Sequence, residues 1–134
     1  MSYQNMSPLN RRLRKSIELL KPPSKQTVSE WAVANRILCS EASAESGKYH
    51  LARAPFQKGW QDAISNPRIH TIVGMTSAQV GKTETFLNNP VAYFIAQDPA
   101  PILVIQPTLE MAQTWSKDRF APMLRDSPAL KDLV

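Results

Sequence analysis

The stretch Thr76-Ser77-Ala78-Gln79-Val80-Gly81-Lys82-Thr83 constrains this chain more than any other. An apolar run, Ile69-His70-Thr71-Ile72-Val73-Gly74-Met75, leads into it, and a helix-compatible stretch leads out from Lys82. Strand, loop of small residues, Gly-Lys-Thr and helix is the order of a phosphate-binding loop. Small side chains let successive backbone N–H groups turn inward around phosphate oxygens. A helix starting near Lys82 adds its unsatisfied N–H groups and the positive end of its dipole. Lys82 reaches β- and γ-phosphates as a point charge, and Thr83 offers a hydroxyl to the Mg²⁺ that bridges them. The pattern departs from its strict form at one place. Thr76 stands where the first glycine belongs, and Gly74 lies two residues too early. The alternative reading is an ordinary strand-to-helix turn, with Gly81 making the bend and Lys82-Thr83 as a polar helix start.

A chain of 134 residues fits one domain with one core. Its 43% apolar and 20% charged residues are those of a globular rather than a disordered chain. A net charge of +5 allows polyanion partners without requiring them. The single cysteine, Cys39, has no internal disulfide partner, which fits a reducing compartment and a buried small hydrophobe. No apolar run approaches the ~20 residues of a membrane span, and the N-terminus has charge but no apolar signal core.

Met1 to Asn10 is polar and patternless, which predicts a mobile tail. Arg11, Arg12, Arg14 and Lys15 then precede Ile17, Leu19 and Leu20 in a short expected helix that stops before Pro22-Pro23. The basic cluster is either a contact for DNA phosphates or a solvated helix face. Thr27-Val28-Ser29-Glu30 has capping-box spacing, and Trp31, Ala34, Ile37 and Leu38 follow at helical intervals, predicting a helix over 28–39 with Trp31 as a core anchor. Glu41 to His50 reads as a loop. Pro55 suits a helix start, with Trp60 and Ile64 on one face, and Asn66-Pro67 ends that helix. Phe56 and Gln57 are of interest because they lie shortly upstream of the loop. A glutamine amide carries the donor and acceptor that an adenine edge requires, and Phe56 can stack on the ring. Gln57 could equally be an exposed helical polar residue.

Lys82 to Gln97 reads as helix, with a kink or break near Asn88-Asn89 imposed by Pro90. Ile102-Leu103-Val104-Ile105 is wholly apolar, the mark of a strand covered on both faces. Strand, helix and strand predict a parallel βαβ unit with a right-handed crossover. Thr108 is placed to cap a helix bearing Glu110 in its first turn, and Gln106 and Thr108 either line a ligand path or serve as turn and cap. Ser127-Pro128 starts another helical turn.

Five ordered blocks resemble one family. They are Thr27 to Ala32, Arg53 to Gln57, Ser77 to Glu84, Asp98 to Thr108, and Leu124 to Leu130. Together they are similar to the N-terminal part of the phage terminase large subunit of the GpA type, the DNA-packaging ATPase of lambda-like phages. The resemblance implies an α/β fold: a partial P-loop NTPase domain of the RecA-like (ASCE) kind with parallel strands over residues 27–134. A basic, partly disordered helical segment over residues 1–26 would precede it. It implies that Thr76 to Thr83 is a deviant Walker A and that Glu84 belongs to the same nucleotide-binding stretch. It further implies that Phe56-Gln57 is the adenine-recognising pair, and that Gln106-Pro107-Thr108 is a helicase-like motif. The implied ligands are ATP and Mg²⁺. The implied partners are double-stranded DNA, a small terminase subunit, the portal of the procapsid, and further copies of the motor subunit.

Two departures limit the expectation. Some terminases carry an arginine in the phosphate loop, whereas Ala78 and Gln79 occupy those places here, so transition-state charge needs an arginine from elsewhere. The apolar run Ile102–Ile105 ends in Gln106 rather than in the Asp-Glu of a Walker B strand, and no carboxylate cluster suits a two-metal nuclease. The expectation is an incomplete ATPase domain that binds ATP-Mg weakly, hydrolyses it negligibly and self-associates through its open sheet edge. A helicase-like P-loop enzyme and a non-enzymatic DNA- or partner-binding remnant are the competing readings.

Overall fold

The computed structural model describes residues 8–20, 25–41, 43, 46–131 and 133, with the side chains of Pro8, Arg11, Lys15, Glu18 and Leu19 excepted. Helix α1 spans Pro8–Leu19. It begins at a proline, whose missing N–H is harmless in a first turn. The expected N-terminal tail is thus helical from Pro8 onward, and Met1–Ser7 lie outside the described residues.

Helix α2, Val28–Asn35, opens with the predicted capping box: Thr27 Oγ1 accepts from the Glu30 N–H, and Glu30 Oε2 accepts from the Thr27 N–H. The helix is shorter than the apolar spacing predicts. Arg36 turns extended (φ −81°, ψ 133°), and Ile37–Leu38 form strand β1. β1 pairs antiparallel with β2, Gly47–Lys48, inside the segment expected to be loop, with Ile37 opposite Lys48 and Leu38 opposite Gly47. Helical periodicity cannot see this exchange, because Ile37 and Leu38 suit a half-buried strand as well as a helix face.

A 3-10 turn at Leu51–Arg53 leads to α3, Gln57–Ile64. The next long helical stretch runs over residues 82–96 and is not uniform. A π turn occupies Glu84–Asn88, and regular helix α4 follows at Asn89–Ala96. The Asn89 N–H donates to the Glu84 carbonyl, five residues back. Pro90 explains the widening, since it has no N–H and its ring would strike a carbonyl four residues earlier. The predicted break is therefore a π turn. The same device recurs further on. Helix α5, Leu109–Trp115, passes through a π turn at Ser116–Phe120 into α6, Ala121–Asp126, and Pro122 stands at the same distance after that turn. Thr108 caps α5 as expected, accepting from the Met111 N–H at 3.2 Å. Helix α7, Pro128–Lys131, follows the buried Ser127.

Helix α4 is the centre of the core. Val91, Ala92 and Tyr93 are buried against Val28, Trp31 and Ala32 of α2, Met123 of α6 and Leu130 of α7. Trp31 meets Tyr93 edge-on with centroids 6.4 Å apart, in the anchoring role expected of it. Cys39 is a buried free thiol, also as expected. No helix among the described residues is long and apolar enough to cross a membrane.

The two runs expected to be parallel strands are a correction. Residues 69–75 and 101–105 carry neither helix nor strand, and no parallel pairing occurs among the described residues. Val73 is 88% exposed, Met75 98%, Leu103 84% and Ile105 81%. A wholly apolar strand is stable only when neighbouring strands take its N–H and C=O groups and layers cover both faces. Neither run has such neighbours here. Val104 alone of the second run packs on the core, and a β-carbon added at Gly74 would lie 2.7 Å from the Phe86 ring. The described architecture is thus a helical assembly with one short antiparallel pair.

Candidate nucleotide-binding site

The loop from Thr76 to Gly81 joins the unpaired run to the helix that opens at Lys82. Its backbone enters the left-handed region twice, at Gln79 (φ 57°) and at Gly81 (φ 77°). Such alternation turns consecutive N–H groups toward one side, the geometry of an anion nest. Gly81 is required twice over, because a Cβ there would also lie 2.6 Å from Gln57 Nε2. Ser77, Ala78, Gln79, Lys82 and Thr83 are exposed, while Thr76 and Val80 are half-buried. The Thr76 hydroxyl is buried and has no hydrogen-bond partner. Neither Lys82 nor Thr83 has a side-chain partner among the described residues, which leaves an amine and a hydroxyl free at the helix start.

One polar chain braces both ends of this segment. Gln57 Nε2 donates to the Val80 carbonyl at 2.9 Å, and Gln57 Oε1 accepts from the Tyr49 hydroxyl at 3.0 Å. Gln61 Nε2 donates to the Tyr49 oxygen at 2.9 Å, and Asn89 Nδ2 donates to Gln61 Oε1 at 3.4 Å. Arg36 Nε donates to Asn89 Oδ1 at 3.0 Å, and Arg36 Nη2 reaches Glu84 Oε2 at 2.7 Å. The donors run head to tail from the guanidinium to Val80, an order in which each bond polarises the next. From Glu84 a branch continues. Asn88 Nδ2 donates to Glu84 Oε1, and Trp115 Nε1 donates to Asn88 Oδ1 at 2.9 Å. Arg36 is 2% exposed, so its charge depends on these acceptors. Burial pushes the Tyr49 hydroxyl above its ordinary range, with the amides of Gln61 and Asn89 pulling back, so it remains a neutral donor.

Phe56 and Gln57, singled out by sequence, come to the loop together with residues that sequence reasoning passed over. Phe56 is 53% exposed and meets Trp60 edge-on, and Trp60 in turn lies 5.1 Å from Phe86. Gln57 is buried rather than exposed. Arg36, Tyr49, Gln61 and Asn89 carried no motif. Gln57 and Gln61, one turn apart, were the available signal, because two amides on one helix face want polar partners. The cluster Arg11, Arg12, Arg14 and Lys15 lies on α1. Arg12 and Arg14 are exposed, and the side chains of Arg11 and Lys15 lie outside the described residues.

Two clefts flank the loop. One of about 670 Å³ is lined by Tyr49, Phe56, Gln57 and the backbone turn Gln79–Gly81, with Lys48, His50 and Arg53 also on its wall. Another, of about 300 Å³, is lined by Thr83, Gln106, Glu110, Trp115 and Arg119 among others. Base-sized volume, an aromatic face, a spare amide edge and a nest of N–H groups together suit a nucleotide. Among the described residues no group of three His, Cys, Asp or Glu side chains could hold a metal by itself.

Residues 43–134 match the family model described as phage terminase large subunit gpA, ATPase domain. The chain is similar to the large terminase subunit of Escherichia phage lambda, 30% identical over all 134 residues, which cover 20% of that protein. It is also similar to the large terminase subunit of Enterobacteria phage P21, with 33% identity over 112 residues, 84% of this chain and 17% of that protein. The chain thus spans about a fifth of the length of the curated relatives it matches. No solved structure matches it.

Proposed function

The chain belongs to the gpA ATPase-domain family of phage terminase large subunits, and on that premise we propose that it forms the nucleotide-binding part of a DNA-packaging ATPase. ATP enters with its base in the larger cleft, against Phe56. Gln57 still has one N–H and one lone pair free for a base edge after bonding Val80 and Tyr49. The triphosphate crosses the amides of residues 76–81, Lys82 takes the β- and γ-phosphates, and Glu84 holds the helix start through Arg36. Thr83 provides a hydroxyl for Mg²⁺, whose chemistry there is to neutralise the phosphate oxygens. The single observation carrying this reading is the loop with its two left-handed residues, opening a helix at Lys82 beside a base-sized cleft.

In the whole protein, the chain is part of a P-loop ATPase domain. Hydrolysis there drives double-stranded DNA into a procapsid in the host cytoplasm. The work is done with a small terminase subunit, the portal and further motor copies. The exposed Arg12 and Arg14 on α1 favour a DNA or partner contact at that end. Calorimetric titration of the chain with ATP-Mg tests the core of the proposal. Saturable binding that weakens about tenfold in Lys82→Ala is expected. Absence of binding, or binding indifferent to Lys82, overturns it.

A further inference from the structure

The phosphate loop carries one cation, Lys82, and no arginine. The smaller cleft supplies one. Thr83, at the phosphate end of the loop, shares that cleft with Arg119. Met111, Trp115 and Arg119 recur every four residues along α5 and the π turn Ser116–Phe120, and all three line it. Arg119 is exposed and has no hydrogen bond or ion pair among the described residues. It also lines a second, narrow crevice with Arg36, Glu84 and Asn88, so it lies beside the first turn of the loop helix from two directions. The scaffold beneath it is fixed. Trp115 donates to Asn88 and stacks on Phe120 with centroids 5.2 Å apart.

The two clefts meet at the first turn of the loop helix. The larger one is lined by Phe56, Gln57, Gln79–Gly81 and Glu84, and Thr83, between Gly81 and Glu84 in sequence, lines the smaller one together with Arg119. A base seated in the first directs the last phosphate toward the second. We propose that Arg119 contacts the terminal phosphate of the bound nucleotide and makes the site prefer a triphosphate over a diphosphate. The inference rests on the nucleotide reading above. A guanidinium suits the task because its planar fork matches phosphate oxygens and its charge is permanent. Glu110 on the same cleft leaves it formally neutral, which fits a phosphate already carrying Mg²⁺ better than a bare polyanion.

Titration of the full 134-residue chain with ATP-Mg and with ADP-Mg, for the unaltered protein, Arg119→Ala, Arg119→Lys and Lys82→Ala, separates the possibilities. The expected result is that Arg119→Ala weakens ATP about tenfold and leaves ADP unchanged. Arg119→Lys recovers part of the loss, and Lys82→Ala weakens both nucleotides. Arg119 is exposed, so its variants are expected to melt like the parent, and circular dichroism checks this. An ATP-to-ADP ratio unmoved by Arg119→Ala overturns the inference while leaving the nucleotide reading intact. So does a variant whose only defect is weaker DNA binding. Failure of the unaltered chain to bind either nucleotide overturns both.

Discussion

Gln57 and Gly81 are in direct steric register. The Gln57 amide nitrogen, bonded to the Val80 carbonyl at 2.9 Å, lies 2.6 Å from where a β-carbon on residue 81 would stand. The amide that steadies the loop therefore occupies the space that only glycine leaves open. Gly81 also needs its positive φ of 77°. Both demands fall on one residue.

Gly81→Ala should consequently cost about 1–3 kcal/mol of stability through backbone strain and displacement of the Gln57 amide. Gly59 makes the control. It lies inside α3, and a β-carbon added there would meet nothing within 4 Å, so Gly59→Ala should stabilise by about 0.5–1 kcal/mol. Urea melts of the two variants should move in opposite directions. Equal shifts would show that the loop tolerates a side chain at residue 81.

The Arg36–Glu84 pair should behave asymmetrically toward single and double substitution. Glu84→Ala leaves a guanidinium that is 2% exposed without its counter-charge, and a loss of about 3–5 kcal/mol is expected. Removing both charges in Arg36→Met with Glu84→Leu should cost less than the sum of the single losses, by about 1 kcal/mol or more. A strictly additive double-mutant cycle would mean that Arg36 and Glu84 are not energetically coupled despite their contact.

Asp62 gives a pH-dependent test. Burial raises its carboxyl, but hydrogen bonds from Lys58, Ser29 and Thr27 outweigh this and hold it below the ordinary carboxylate range. A depressed folded value contributes stability above the unfolded value near ~4 and loses it as pH falls through the folded one. Asp62→Asn should be less stable than the parent at pH 7, by under about 1 kcal/mol because the pair is partly exposed, and the gap should close in acid as the carboxyl takes up its proton. A stability gap between the two that persists unchanged in strong acid would contradict this.

Some of the site was legible before any coordinates. Thr27 and Glu30 announced the capping box, Thr108 the cap of α5, and Pro90 a break in the helix. Each is a local rule that needs only neighbouring residues. The break's form as a π turn was not legible, because the proline rule says that regular helical bonding fails near Asn88-Asn89 and not whether the chain kinks or widens. Phe56 and Gln57 are singled out by position and chemistry, and they line the cleft beside the loop. Their partners Tyr49, Gln61, Asn89 and Arg36 are not singled out, since polar residues scattered from 36 to 89 become a network only once four elements meet. The runs Ile69–Met75 and Ile102–Ile105 have strand composition without strand structure, because a strand is a property of its neighbours as much as of its residues.

What the sequence determined by itself is the small-residue loop ending in Gly-Lys-Thr, its helix and its caps, all written in short-range sterics and hydrogen bonding. What only the tertiary structure decided is how that loop is held. A glutamine from α3 bonds its carbonyl, and a buried arginine after α2 anchors its helix through Glu84. The physical reason is that a buried polar group must find a partner wherever the fold brings one, and no local pattern records which residue that will be.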